Sequence, residues 1–498
     1  MTSRGDRFFL FSSVTFPISL ARLKKALVPR CLFPKRWSVF YATDFLITQL
    51  IPSRGYLLCF LFAMVSAFAQ TTNAFSQEVI ENASGMWELR TEHMTLITDI
   101  AIDDELQTWP ELFEQAKAQL QSYFKPDSLK LGTHHATAHL IGNRNRWEQL
   151  GLIKHLPAFD DGYQLHSHLY IVEQPTVYFR RVVFLHETTH WIIATCLGGN
   201  GSPWYMEGAA EMFSMHKLVR PSQSTPGFIG PQPNLQLTLD AIPSFHSEAP
   251  GWNRFRLIDD SLRNGDAPTL DEILNYQSMM PNRMTRYGWG WAACVFLSKH
   301  PAYGIVLKEE ISNGLDYSLK LSDQLRSKLS SDWESIVIDW NTFITEFDYG
   351  FDLKRSFLSC RDVTRDVLKT GELRSIELKS DIGYQSTGVV VEQGQTIQIE
   401  ALGTIMLRRG KAGLDWTAEP QGITIQYHKN APLGCVLAVL APLETALATK
   451  RWLPTKIGRQ REMTASVRSL LLLKVNEPSH ELNDNVGVFQ VEVTDVTK

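Results

Sequence analysis

At 498 residues and 44% hydrophobic, the chain is long enough for two or three domains, each able to bury a core. A formal net charge of −4 provides no electrostatic footprint for nucleic acid. No Walker or dinucleotide glycine motif occurs, so nucleotide chemistry finds no support.

The first 69 residues read as a leader. Arg54 precedes an apolar run from Tyr56 to Phe68, and Ala67-Phe68-Ala69 before Gln70 has the small-residue pattern of a secretory cleavage site. The run is too short for a comfortable membrane span, and Leu58 before Cys59 argues against a lipoprotein signal. The expectation is export, secreted or periplasmic, with cleavage near Ala69. A signal this late implies a long leader or a start codon assigned too far upstream, and the second is favoured. The alternative is an uncleaved anchor, the one route by which this chain would meet a membrane. Cleavage would leave four cysteines, Cys196, Cys294, Cys360 and Cys435, too few for a disulfide framework.

Residues 77–174 read as a small α/β subdomain: an alternating strand from Met86 to Asp99, an amphipathic helix from Glu105 to Tyr123, and a strand from Ala136 to Ile141. His134, His135, His139, His166 and His168 form two clusters lacking a carboxylate or cysteine at ligand spacing. Strand alternation accounts for them better, with His166, His168 and Tyr170 facing one way. An edge strand just ahead of the next helix would be able to add an extended substrate.

Residues 175–355 read as mainly helical. Val177 to Leu197 forms one helix, opened by Pro175, stopped by Gly198-Gly199 and apolar on nearly every face. Buried within it is His186-Glu187-Thr188-Thr189-His190. Positions i and i+4 share a helix face, so both imidazoles reach one metal ion, and Glu187 stands beside that ion as general base toward water. Burying two histidines and a glutamate without partners would cost several kcal/mol, and a metal supplies the partners.

A second helix follows, with Ser202 as N-cap and Pro203 at N1. It carries Trp204-Tyr205-Met206-Glu207-Gly208-Ala209-Ala210-Glu211, and Glu207 and Glu211 share a face. One carboxylate would bind metal while the other accepts a ligand histidine's remaining ring N–H.

His-Glu-x-x-His followed by Trp-x-x-Glu-Gly-x-Ala-Glu resembles the gluzincin zinc metallopeptidases, over the 26 residues from His186 to Glu211. The resemblance implies a zincin-type catalytic unit with Glu207 as third zinc ligand and Glu211 behind the histidines. Sixteen residues separate His190 from Glu207, slightly fewer than in the aminopeptidase branch, so the connecting turn is shorter. Gluzincins also carry a downstream tyrosine that hydrogen-bonds the developing oxyanion. Tyr287-Gly288-Trp289-Gly290 resembles that segment and makes Tyr287 the corresponding residue. His300, His246 and His216 are rivals for its role. The Gly-x-Met-Glu-Asn segment of the aminopeptidase branch is absent, and Glu173 lies too close to replace it, which favours an endopeptidase.

Further helices are expected at Leu270 to Tyr276, Trp289 to Lys299 and Asp332 to Phe347, with a long loop from Pro221 to Pro250 beside the cleft. In residues 372–498 the period becomes alternating, with strands at Gly388 to Val391, Thr396 to Ala401, Ile423 to Tyr427, Leu470 to Val475 and Val488 to Val493. That pattern predicts an all-β sandwich, and the chain as a whole a multidomain α+β protein.

Ser386-Thr387-Gly388, Gly394-Gln395-Thr396 and Asn476-Glu477 through Asp484-Asn485-Val486-Gly487 resemble the calcium-dependent galactose-binding bacterial lectins. The resemblance implies Ca2+ at Glu477, Glu481, Asp484 and Asn485, and carbohydrate as a partner. Glu477 stands for a shorter aspartate and Glu481 for a threonine, and the lectins' sugar-contacting residues have no match, so a purely structural acidic loop is the competing reading. Two functions follow: an exported zinc peptidase acting on peptides or proteins, or a vestigial peptidase scaffold that binds carbohydrate or envelope. Glu187 favours the first, because a structural site has no need of a base.

Overall fold

Short-range order ahead of the motif helix comes from alternation. The computed structural model describes residues 78–82, 84–124, 134–219, 235–279, 282–410, 414–444 and 452–498; the leader lies outside them. The described residues belong to one compact unit, Ala74–Lys498. It is a mixed α+β structure.

A six-stranded sheet comprises β1 (Glu78–Glu81), β2 (Trp87–Arg90), β3 (Met94–Thr98), β4 (Ala136–Ile141), β5 (Gly162–Leu165) and β6 (His168–Val172). The order is β1-β2-β3-β4-β6-β5. Strands β3, β4 and β6 run parallel, while β5 returns antiparallel to β6 and forms an edge. The single strand expected from Met86 to Asp99 is instead a hairpin, broken between Arg90 and Met94 where the Thr91 amide bonds back to Met94. His166 and His168 likewise fall apart: His166 takes a left-handed φ of 53° in the β5–β6 turn, and only His168 and Tyr170 share a strand face. A polar histidine-serine pair turns the chain here, which period counting alone does not reveal.

On β4, Ala136, Ala138 and Leu140 face the helices. The helix Trp109–Phe124 buries Leu112, Phe113, Ala116 and Leu120 in the same core. Trp109 stacks on Phe184 of the motif helix with centroids 4.2 Å apart, so sheet and helices share one apolar interior.

The motif helix spans Val177–Leu197, capped by Thr176, whose hydroxyl accepts from the Phe179 amide, and ended by Gly198 at φ 87°. Left-handed geometry there favours glycine and terminates the helix. Pro203–Ser214, the glutamate helix, follows. Its partner is the tyrosine helix, Arg283–Lys299, which starts before the expected Trp289. Gly288 and Gly290 lie inside the helix. A Cβ on Gly290 would meet Trp204 O at 2.9 Å, and one on Gly208 would meet Gly290 O at 2.3 Å. The glycines let two helix backbones cross closely, and that contact outweighs their poor helix propensity.

Part of the expected loop from Pro221 to Pro250 is a strand: Gln236–Leu239 pairs with His216–Val219. The later helices are shorter than expected, Leu270–Leu274 and Trp333–Glu346. Two sheets then pack face to face through one apolar cluster. One orders Leu373–Lys379, Val488–Asp495, Thr396–Leu402 and Gln460–Thr464; the other centres on Val436–Pro442, Ser469–Val475 and Gln385–Val391. Among the described residues no helix is long and apolar enough to cross a membrane. The four cysteines there are buried thiols.

Candidate metal centre

The motif helix puts His186 and His190 one turn apart, and the glutamate helix returns Glu207 against them. Nε2 of His186 lies 3.1 Å from Nε2 of His190 and 3.2 Å from Oε2 of Glu207, and the last side of the triangle is 3.4 Å. A tetrahedral ion with bonds of roughly 2.0–2.1 Å has ligand atoms about 3.3–3.4 Å apart, so three ligand atoms stand at the spacing a shared cation requires. All three residues are buried. Among the described residues this is the one group of three or more His, Cys, Asp or Glu whose ligand atoms converge in this way. Two imidazoles and a carboxylate suit zinc and also other first-row metals.

Burial would raise the Glu207 carboxyl, but His190 and His186 hold it well below the usual carboxylate range. It is therefore ionised. Glu211 faces Nδ1 of His186 at 3.8 Å, beyond direct hydrogen-bond reach. Its own oxygens are held by Arg254 (2.6 and 3.0 Å) and by Trp252 Nε1 (3.2 Å). Burial acts to raise Glu211 as well, and Arg254 wins, lowering it. A lone arginine and tryptophan more than forty residues downstream carry no local signal, and the sequence reading missed both.

Glu187 lies against the start of β5. A Cβ on Gly162 would come within 2.4 Å of Glu187 Oε1, so the missing side chain makes room for the carboxylate. Burial, with help from Glu207 and Asp161, pushes Glu187 up to about 8 against the pull of His190 and Arg283. A carboxyl poised near neutrality suits proton transfer.

Tyr287 comes from the tyrosine helix, one turn before the Gly290 crossing. Its ring lies nearly parallel to that of His186, centroids 6.0 Å apart, and its phenol meets Glu207. Burial, then the Glu207 charge, raises it far above the ordinary phenol value, so it remains a donor.

These groups line a cleft of about 430 Å³ walled by Phe159, Tyr163 and Gln164 on one side and Asn200 and Met206 on another. Asn200, missed in the sequence, is buried with its side-chain oxygen unpartnered, as is Nδ1 of His190. None of the rival histidines lines the cleft. His300 bonds the Leu358 carbonyl at 2.7 Å, His216 stacks on Tyr178, and His246 meets Tyr349. Glu173 pairs with Arg180.

Two of the expected calcium donors, Glu477 and Asn485, touch each other. Glu477 is buried and accepts the Asn485 amide, while Glu481 pairs with Arg408 at 2.9 Å. Glu477, Glu481 and Asp484 do not converge as His186, His190 and Glu207 do. Burial, with the nearby charges of Glu481 and Asp484, pushes Glu477 up to about 8.

Fold and site together define a mixed α+β protein built around a buried two-histidine, one-glutamate centre. No family model matches the chain, and no curated protein matches it. Among solved structures it is similar to the EclA N-terminal domain, a PllA-like lectin, at 22% identity over 24% of this chain and 94% of that one, with a TM-score of 0.19. It is also similar to IMPa from Pseudomonas aeruginosa in complex with an O-glycopeptide, at 10% identity over 81% of this chain, with a TM-score of 0.14. A second structure of the IMPa metallopeptidase matches at 12% identity over 73% of this chain, also at 0.14. In both cases the chain spans 37% of the length of IMPa. With TM-scores this low, the functional reading rests on the site's own geometry.

Proposed function

We propose that this chain is an exported zinc-dependent endopeptidase of the gluzincin type. The observation that carries the reading is the 3.1–3.4 Å triangle of His186, His190 and Glu207 with Glu187 on the same helix turn. His186, His190 and Glu207 would hold zinc, which when bound acidifies water and polarises a carbonyl as a Lewis acid.

The chain's own groups account for the rest. Glu187, seated against Gly162, takes a proton from the attacking water and returns it to the leaving amine nitrogen. Tyr287 donates a hydrogen bond to the substrate oxygen as it gains charge, a contact worth roughly 3 kcal/mol at the transition state. Glu211, anchored by Arg254 and Trp252, stands behind His186 and favours the tautomer with its Nε2 lone pair turned to the ion. The apolar run ending at Ala69 supports export.

Metal content and cleavage of a peptide mixture test the reading together. Purified protein should bind one equivalent of zinc and cleave peptides, and Glu187→Gln should keep the zinc and lose the cleavage. Zinc with no Gln-sensitive cleavage would defeat the enzyme reading, and absence of zinc would defeat the ligand assignment.

A further inference from the structure

We infer that Arg283 makes the cleft selective for a substrate carboxylate next to the scissile bond; this rests on the peptidase reading and names its substrate class. Arg283 opens the tyrosine helix one turn before Tyr287, so the two side chains share a helix face. It lines the main cleft and the smaller chamber beside it, in both cases together with Glu187 and Tyr287. Its guanidinium lies 5.5 Å from the centre of the Tyr287 ring.

Among the described residues no short ion pair holds this cation, although its charge acts on Glu187 and its guanidinium lies over the Tyr287 ring. Among the described residues its carboxylate partner is Asp161, reached from one nitrogen at 3.5 Å, with the two side chains 29% and 39% exposed. A pair that long and wet contributes little to stability. No acidic residue accompanies Arg283 in the helix's first turn, where a positive charge opposes the helix dipole. The contrast with Arg254 is direct. That arginine is buried and holds Glu211 through two short contacts, a structural role, whereas Arg283 stands at the cleft wall with most of its five N–H donors uncommitted to Asp161. A planar guanidinium recognises a carboxylate through two parallel hydrogen bonds, and a neutral amide cannot reproduce that pairing. The carboxylate has two sources, an Asp or Glu side chain or the substrate's free C-terminus.

The test uses zinc-loaded full-length protein and peptides that differ only in Glu, Gln or Lys at the positions flanking the cleaved bond, each with a free or an amidated C-terminus. Glu peptides, or free-acid peptides, should exceed their amide counterparts by about tenfold or more in kcat/KM, mainly through KM, the size of a charged hydrogen bond. R283Q should collapse that ratio toward one, R283K should retain part of it, and R283E should turn the preference toward Lys. A preference confined to internal Glu assigns the side chain, and one confined to free acids assigns the C-terminus. A ratio that R283Q leaves intact, or equal losses on charged and neutral peptides, would overturn the inference. If no peptide is cleaved, the peptidase reading fails separately, and equilibrium binding of the same peptides to zinc-loaded Glu187→Gln protein decides the point: an Arg283-dependent carboxylate preference upholds it, and its absence overturns it.

Discussion

Nε2 of His186 stands 3.2 Å from Oε2 of Glu207, across 21 residues of chain and between two different helices. The contact closes the triangle proposed to hold zinc, so Glu207→Ala should abolish stoichiometric zinc binding while His186 and His190 remain. Equilibrium dialysis with metal analysis checks it. Zinc held as tightly by the variant as by the wild type would remove Glu207 from the ligand set.

Glu211 reaches the centre only through His186, and its substitution should show a graded loss. Glu211→Gln should weaken zinc binding by roughly 10- to 100-fold, the usual effect of removing a ligand's supporting carboxylate. Arg254→Met should cost more in stability, on the order of 3–5 kcal/mol, because it leaves a buried carboxylate without its cation. Denaturant titration of both variants reads the difference, and equal stabilities would contradict the assigned roles.

Gly162→Ala separates base position from folding. The new Cβ would fall 2.4 Å from Glu187 Oε1, the mobile end of a side chain, and 2.8 Å from Val183 Cγ1. Glu187 swings away more cheaply than backbone moves, so kcat should fall at least tenfold with zinc retained and unfolding shifted by about 1 kcal/mol. Undiminished kcat would show that Glu187 is not held there during turnover.

Gly208→Ala should behave oppositely. Its Cβ would meet the Gly290 carbonyl at 2.3 Å and Cys294 Sγ at 2.7 Å, and backbone yields poorly. Overpacking of this kind typically costs about 1–3 kcal/mol. Forcing the helices apart also moves Tyr287 from Glu207, so stability and activity should fall together. Full stability in urea would refute the tight crossing.

Lys474, buried in the second sheet, donates to Glu346 of the helix Trp333–Glu346 at 2.9 Å, and Lys429 approaches the same oxygen at 3.1 Å. Burial opposes ionisation of Glu346, but the two lysines hold its carboxyl down to about 2, from an ordinary value of 4.5. Stability from this group is therefore fully present above about pH 4.5 and is lost as pH falls toward 2, on the order of 3 kcal/mol. Burial also lowers Lys474 despite its partner, so the net contribution of the pair is smaller. Glu346→Gln should flatten the acid limb of the stability curve between pH 4.5 and 2. Unchanged acid sensitivity would place the titrating group elsewhere.

The sequence by itself determined the parts whose physics is local. Val177–Leu197 was legible to the residue because Pro175 marks its start, Gly198 ends it, and i,i+4 spacing is a property of any helix, while the structure shows Thr176 as the cap. The Glu207–Glu211 face and the alternating strands of the second half were legible for the same reason. Tertiary structure decided what depends on contacts between distant segments. It turned Met86–Asp99 into a hairpin, set Gly208 against Gly290 at a helix crossing, and brought Arg254, Trp252, Asn200, Gly162 and Arg283 to the centre. It also set Asn485 against Glu477 and Arg408 against Glu481. Periodicity encodes which face of an element is buried, whereas a partner forty or a hundred residues away is selected by shape and charge only when the chain has folded.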